Sequence, residues 1–253
     1  MTAPSGPSRQ PLDTAADAAP AAPVAVAEPR QRWRLTFARE LPPEHEVPTG
    51  REYVGRWEET LLAAGLPVLV LATGRPRVAL GAPLPSNCSA EGELLEFWLT
   101  AVRPAWQVRE GLARALLTGH RIVDLESVWV GAPALSGQVA AADYEVAARI
   151  DEGRGADVAA AVERILGRPR VPWERRKGGE TRTVDLRPLI VALEVDDRGA
   201  AGFQLRMRTR IHPELGTGRP DEVVGALAAE SGVPIAIERI VRRRLLLADD
   251  LGR

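Results

Sequence analysis

The sequence predicts an α+β chain built from two halves of one pattern, and three features carry that reading. Short stretches alternate apolar and polar residues, the period of a half-buried strand. Others repeat apolar residues every three or four positions, the period of an amphipathic helix. The two kinds of stretch then recur in the same order in both halves of the 253 residues.

In the first half, Trp33, Leu35 and Phe37 alternate with Arg32, Arg34 and Thr36, which predicts a strand. From Thr49 and Gly50 onward, Tyr53, Trp57 and Leu61 recur every four residues, and the pattern stops at Gly65, as a helix ended by glycine does. Residues 67–71 and 75–80 read as two strands about a turn at Thr73 and Gly74, 81–92 as a loop and 94–99 as a strand. Pro104 stands where a first helical residue would, and Val108, Leu112 and Leu116 supply an apolar face before Gly119. Residues 121–130 are extended again.

The second half echoes the first. A strand over 144–150 precedes a helix carrying Val158, Val162, Ile165 and Leu166 and stopped by Gly167. Extended stretches at 169–173 and 183–195 flank Gly178 and Gly179, followed by a strand over 203–211, a helix over 220–229 and a closing extended segment at 235–247. Two successive strand–helix–strand–strand–helix–strand units predict two ferredoxin-like halves with antiparallel sheets, over 32–131 and 143–247, joined near 132–142. Residues 1–31, rich in Ala, Pro, Ser and Thr, read as a disordered tail. They have neither the basic start nor the continuous apolar segment of a secretory signal.

A formal net charge of −1 gives the molecule no global field toward nucleic acid or membrane, so such binding needs a local patch. Arginine supplies the basic residues almost alone, Lys177 being the one lysine, a bias that a GC-rich genome explains. Each arginine still forks onto phosphate or carboxylate. Cys88 is the single cysteine, so no internal disulfide forms and the expected location is the cytoplasm. No run of 18 apolar residues occurs, so no spanning helix and no membrane partner is expected.

Candidate chemistry is sparse. His45, His120 and His212 are scattered without a second metal-type ligand at a recognised spacing and read as surface or loop residues. Cys88 has no histidine near it in sequence, and no glycine run forms a phosphate loop. No metal site, cofactor or catalytic residue is expected, and the reading leans away from an enzyme.

The strongest polar signal is a stripe. In residues 203–211 the apolar side chains share one face, while Gln204, Arg206, Arg208 and Arg210 share the other. Residues two apart along a strand are about 6.8 Å apart, near a stretched phosphate-to-phosphate step. The stripe either meets phosphates or pairs with acids such as Asp185 or Glu194 on neighbouring strands. A second basic cluster comprises Arg168, Arg170, Arg175, Arg176, Lys177, Arg182 and Arg187, set about a glycine pair in a hairpin. It is either a binding site or a charged, soluble turn. Arg242, Arg243 and Arg244 read as charge that keeps an edge strand soluble.

Three stretches carry a resemblance. They are the helix end at 61–67 (Leu-Leu-Ala-Ala-Gly-Leu-Pro), residues 74–85 (Gly-Arg-Pro-Arg-Val-Ala-Leu-Gly-Ala-Pro-Leu-Pro), and Arg175-Arg176-Lys177 followed by 183–189. With the closing 239–243 they resemble a bacterial family of radical-SAM-linked proteins, a domain of unknown function, over roughly 32–247. The resemblance implies an accessory partner of a radical SAM enzyme, and brings Arg75 and Arg77 into the candidate set. The chain departs from the family where a Ser-His-Leu-Asp run is usual, having Thr49, Gly50, Arg51 and Glu52 instead. Cys88 alone cannot supply the three closely spaced thiolates of a radical SAM cluster.

The expected function is a non-catalytic accessory protein that binds RNA or presents it to a radical SAM enzyme. The expected binding residues are Arg75, Arg77, Arg175, Arg176, Lys177, Arg182, Arg187, Arg206, Arg208 and Arg210. A protein-interaction module using the same arginines, and an enzyme with an unrecognised site, remain the alternatives.

Overall fold

A computed structural model describes residues 27–41, 48, 50–177, 179–197 and 203–251. Most of the predicted tail, His45, Thr49 and Gly178 lie outside these residues. The first half runs β1 (Gln31–Arg39), α1 (Gly50–Ala63), β2 (Val78–Leu80), β3 (Cys88–Leu99), α2 (Ala105–Ala115) and β4 (His120–Val128). After α3 (Leu135–Gln138) the second half runs β5 (Val139–Arg149), α4 (Gly155–Gly167), β6 (Pro172–Lys177), β7 (Glu180–Asp185) and β8 (Ile190–Asp197). It continues through β9 (Phe203–His212), β10 (Gly216–Thr217) and α5 (Pro220–Ser231) to β11 (Ala236–Leu247).

The architecture is α+β with a mainly antiparallel sheet. Nine strands form one sheet in the order β10-β9-β5-β11-β3-β1-β4, with β2 added on β3 and β8 on β9. Each half lays its strands in the order fourth, first, third, second: β4-β1-β3-β2, then β11-β5-β9-β8. Every pairing inside a half is antiparallel. The halves meet at a short parallel seam, where Ile240, Val241 and Arg242 of β11 pair Cys88, Ser89 and Ala90 of β3. The hairpin β6–β7 is a separate two-stranded ribbon.

Periodicity places the core well. Trp33, Leu35 and Phe37 of β1 pack against Tyr53, Trp57 and Leu61 of α1 and Val108 and Leu112 of α2. In the second half Tyr144, Val146, Phe203, Leu205 and Met207 pack against Val158 and Ile165 of α4 and Val223 and Leu227 of α5. In both halves the residues alternating with these strand positions face away from the helices. Pro220 at the first helical position and the acids Asp221 and Glu222 in the first turn suit the start of α5.

Pairing moves several boundaries. β3 begins at Cys88, inside the expected loop, because the seam with β11 extends it. β5 begins at Val139, inside the expected join, because Val139 pairs Leu247. Of the two strands expected over 67–80 only β2 forms, preceded by isolated bridges Val68–Leu99 and Val70–Pro76. The reading of Arg242–Arg244 as an edge strand is overturned: β11 lies mid-sheet between β5 and β3, and Arg242 is fully buried. Among the described residues no helix is long and apolar enough to cross a membrane.

Candidate nucleic-acid or partner interface

The seam is held by a buried ion pair. Arg242 Nε donates to Glu93 Oε1 at 2.6 Å and Nη2 to the other carboxylate oxygen, while its remaining N–H groups reach the carbonyls of Pro83 and Ala82 at 2.9 and 3.1 Å. Burial opposes the Arg242 charge, but Glu93 outweighs it and lifts the guanidinium above its ordinary value. One guanidinium thus ties β11, β3 and the loop 81–87 together. Beside this joint, loop residues 82–87 and residues 217–221, between the end of β10 and the start of α5, line a cleft of about 560 Å³ together with Tyr144.

The stripe sits on the sheet face away from the helices, as its alternation predicts. Its arginines are largely committed to acids. Arg208 Nε donates to Asp143 Oδ1 at 2.7 Å, and Arg244 Nε donates to Asp143 Oδ2 at 2.9 Å. Burial works to raise the Asp143 carboxyl, yet the hydrogen bonds from Arg208 and Arg244 overcome it and hold the carboxyl below its usual value. Arg206 lies 3.8 Å from Asp196, and Arg243 pairs with both Glu91 and Glu145.

Across strands β8, β9, β5 and β11 the face therefore runs acid, base, acid, base around a hollow of about 420 Å³. The expected pairing is present, through Asp143 and Asp196, with Glu194 opposite Arg206 in register. Asp185 instead accepts from the backbone N–H groups of Val171 and Arg187. Arg210 has no acidic partner among the described residues. Replacing Arg206, Arg208 and Arg210 with glutamine is expected to lower stability by about 1 kcal/mol or less per pair broken, read by chemical denaturation. RNA affinity should stay unchanged.

The hairpin β6–β7 lies on the opposite, helix-covered side. Trp173 packs on α5 so closely at Gly225 that a Cβ there would lie 2.5 Å from the ring. Arg175 Nε donates to the buried Glu222 at 2.6 Å, and Nη2 also donates to Thr217 O at 3.0 Å. Arg187 is spent on the carbonyls of Leu166 and Ile190, both at 3.0 Å, and Arg168 on Glu230. Arg170, Arg176 and Arg182 are exposed and have no acidic partner among the described residues. The strand placing Lys177 is described, its side chain is not.

The ten expected binding residues do not share one surface. Arg75 pairs with Glu58 of α1 at 2.7 Å, and Arg77 lies over the Trp98 ring at 4.2 Å, both in the first half. The hairpin and the stripe occupy opposite sides of the second.

The position of His120 departs from the expected surface or loop histidine. Its Nδ1 lies 2.9 Å from Thr118 O, which makes that nitrogen the N–H donor, so Nε2 accepts from the Tyr53 hydroxyl at 2.8 Å. The ring packs among Phe37, Tyr53 and Trp57. Burial lowers the His120 pKa below 6.5 and pushes the Tyr53 hydroxyl up to about 12. Between the lowered value and 6.5 the unfolded chain binds a proton that the folded chain does not, so stability falls as pH drops through that window. His120→Gln is expected to flatten the acid-side decline in melting temperature between about pH 7 and about pH 5. Cys88 is buried, and burial pushes its thiol up to about 12, far from a reactive thiolate. Among the described residues no three His, Cys, Asp or Glu side chains gather as a metal site.

Comparison with solved structures gives distant likenesses. A complex of Cbf5, Nop10 and Gar1 contains a chain that matches at a TM-score of 0.47 and 10% identity, over 84% of this chain and 48% of that one. An archaeal box H/ACA sRNP Nop10–Cbf5 complex matches at 0.43 and 13%, over 83% and 46%. An H/ACA RNP bound to a substrate RNA containing 2′-deoxyuridine matches at 0.41 and 15%, over 83% and 47%. The chain spans about half the length of the chains it matches, and likeness at this level carries no inference. No curated protein matches in sequence. Over residues 73–220, more than half its length, the sequence matches the model of one family, and the chain belongs to that family of uncharacterised proteins conserved in bacteria, DUF2344.

Proposed function

We propose that this chain is a non-catalytic accessory module that binds RNA through the β6–β7 hairpin. One observation carries the reading: Arg176 and Arg182 are exposed, without acidic partners among the described residues, on a ribbon that Trp173 and Arg175 pin to α5, and the likewise exposed and unpartnered Arg170 lies two residues before it. A fixed ribbon presents its cations without the ordering cost that a loose loop would bear. The stripe is assigned to stability instead, since Asp143 and Asp196 already occupy Arg208 and Arg206.

Each half is read as a ferredoxin-like unit, a reading that the strand order fourth, first, third, second supports. The units are taken as 32–131 and 143–247, with the second extended back to Val139, where β5 begins. A radical SAM enzyme as the partner rests on the sequence resemblance alone. The test is binding of a mixed-sequence single-stranded RNA at several salt concentrations, because phosphate contacts give affinity that falls steeply with salt. A module that grips only protein gives no RNA signal at any salt.

A further inference from the structure

Two tryptophans escape the core. Trp106 is 64% exposed and Trp129 77% exposed, whereas Trp33, Trp57 and Trp98 are buried. The topology brings the exposed pair to one end of the first half. β3 and β4 both run antiparallel to β1, so they share a direction. Helix α2 therefore starts at the end where β4 finishes, with Trp106 in its first turn and Trp129 just past Val128.

The same end gathers cations. Arg30 N–H donates to Leu99 O at 2.8 Å, and Gln31 exchanges hydrogen bonds with the Arg103 backbone at 2.9 and 3.1 Å. Arg109 lies three residues beyond Trp106, on the same helix face. Arg30 and Arg109 are exposed and Arg103 half-buried, and none of the three has an acidic partner among the described residues. Of the acids nearby, Glu110 pairs with Arg114 and Glu126 with Arg34, while Glu28 precedes Arg30 by two residues.

The Trp129 ring also rests on its own turn. It lies over Gly131, where a Cβ would come within 2.7 Å of the ring, and the turn is closed by Ala132 N–H donating to Trp129 O at 2.9 Å. Buried Arg32 then donates to the carbonyls of Ala132 and Pro133 at 2.6 and 2.8 Å. An exposed indole resting on a clamped turn is a ready stacking surface, and indoles interleaved with unneutralised guanidiniums match the chemistry of unpaired bases on a phosphate backbone.

We propose that this end of the first half is a platform for single-stranded nucleic acid, on which Trp106 and Trp129 stack bases while Arg30, Arg103 and Arg109 meet the flanking phosphates. The proposal deepens the RNA reading above and rests on it, but uses a surface other than the hairpin.

The experiment titrates full-length protein with a single-stranded oligouridylate and with an RNA duplex, following tryptophan fluorescence. Wild type should be quenched by the single strand and far less by the duplex. Trp106→Leu and Trp129→Leu should each lose part of the quench and bind about tenfold more weakly. Circular dichroism and melting should stay unchanged, because neither ring is buried. A hairpin variant, Arg170→Gln/Arg176→Gln/Arg182→Gln, should bind more weakly yet keep the quench at saturation. Single-strand binding that neither tryptophan substitution alters would overturn the platform and leave the hairpin reading standing. Absence of binding to any RNA would sink both, and would leave the exposed indoles to a protein partner.

Discussion

Replacing Arg242 with methionine is expected to destabilise the protein by about 3–5 kcal/mol, the largest effect of any single substitution proposed for it. Methionine matches the side chain only as far as Nε, so the loss comes from what the missing guanidinium leaves behind. Glu93 would be a carboxylate 3% exposed with no counter-ion, and the carbonyls of Ala82 and Pro83 would lose their donors. Removing one member of a buried pair costs far more than the pair is worth, because the abandoned charge stays out of water. The double variant Arg242→Met/Glu93→Gln should therefore recover part of the loss. Urea unfolding of the two variants checks this, and a single variant no less stable than the double would show that the pair does not hold the seam. The parallel seam between halves spans three residue pairs, and this ion pair crosses it beside the packing of Cys88 and Leu94 into the second half's core.

The second large effect concerns affinity. The triple variant Arg170→Gln/Arg176→Gln/Arg182→Gln should fold as the wild type does, since none of the three guanidiniums has an acidic partner among the described residues to give up. Its affinity for single-stranded RNA should fall by at least an order of magnitude at moderate salt, as expected when several cations that meet phosphates are removed together. Arg175→Gln is the informative contrast. It leaves the buried Glu222 without its hydrogen bonds, so it should weaken the hairpin's anchorage and cost stability.

Much of the fold is legible because burial writes a period into the sequence. Trp33, Leu35 and Phe37 alternate because one face of β1 meets helices, and Tyr53, Trp57 and Leu61 recur because one side of α1 meets the sheet. What the period cannot show is who pairs with whom. β3 starts early because of contact with β11, a pairing in which Ser89 Oγ reaches Ile240 O, 151 residues away. Arg242–Arg244 reads as a charged edge by composition, yet its strand is central, and nothing local to it announces Glu93.

The same limit governs the site. The alternation of Arg206, Arg208 and Arg210 is plain in the sequence, but the acid that occupies Arg208 is 65 residues away, and the acid that anchors Arg175 is 47 away. A basic run tells where cations are, not whether they are already neutralised. Trp106 and Trp129 escape a periodic reading for the opposite reason. Trp106 stands off the apolar face of α2 and Trp129 lies just past the end of β4, and that displacement from the pattern is the one signal the sequence carries for them.

The measurement that bears most directly on the function is the slope of log affinity against log salt for a single-stranded RNA, taken for the wild type and the hairpin triple variant in parallel. If Arg170, Arg176 and Arg182 meet phosphates, the wild-type slope is negative and the variant's is flatter by roughly 0.7 for each phosphate no longer neutralised, about 2 in all. Equal slopes for the two proteins, or wild-type binding that salt does not weaken, would contradict the account.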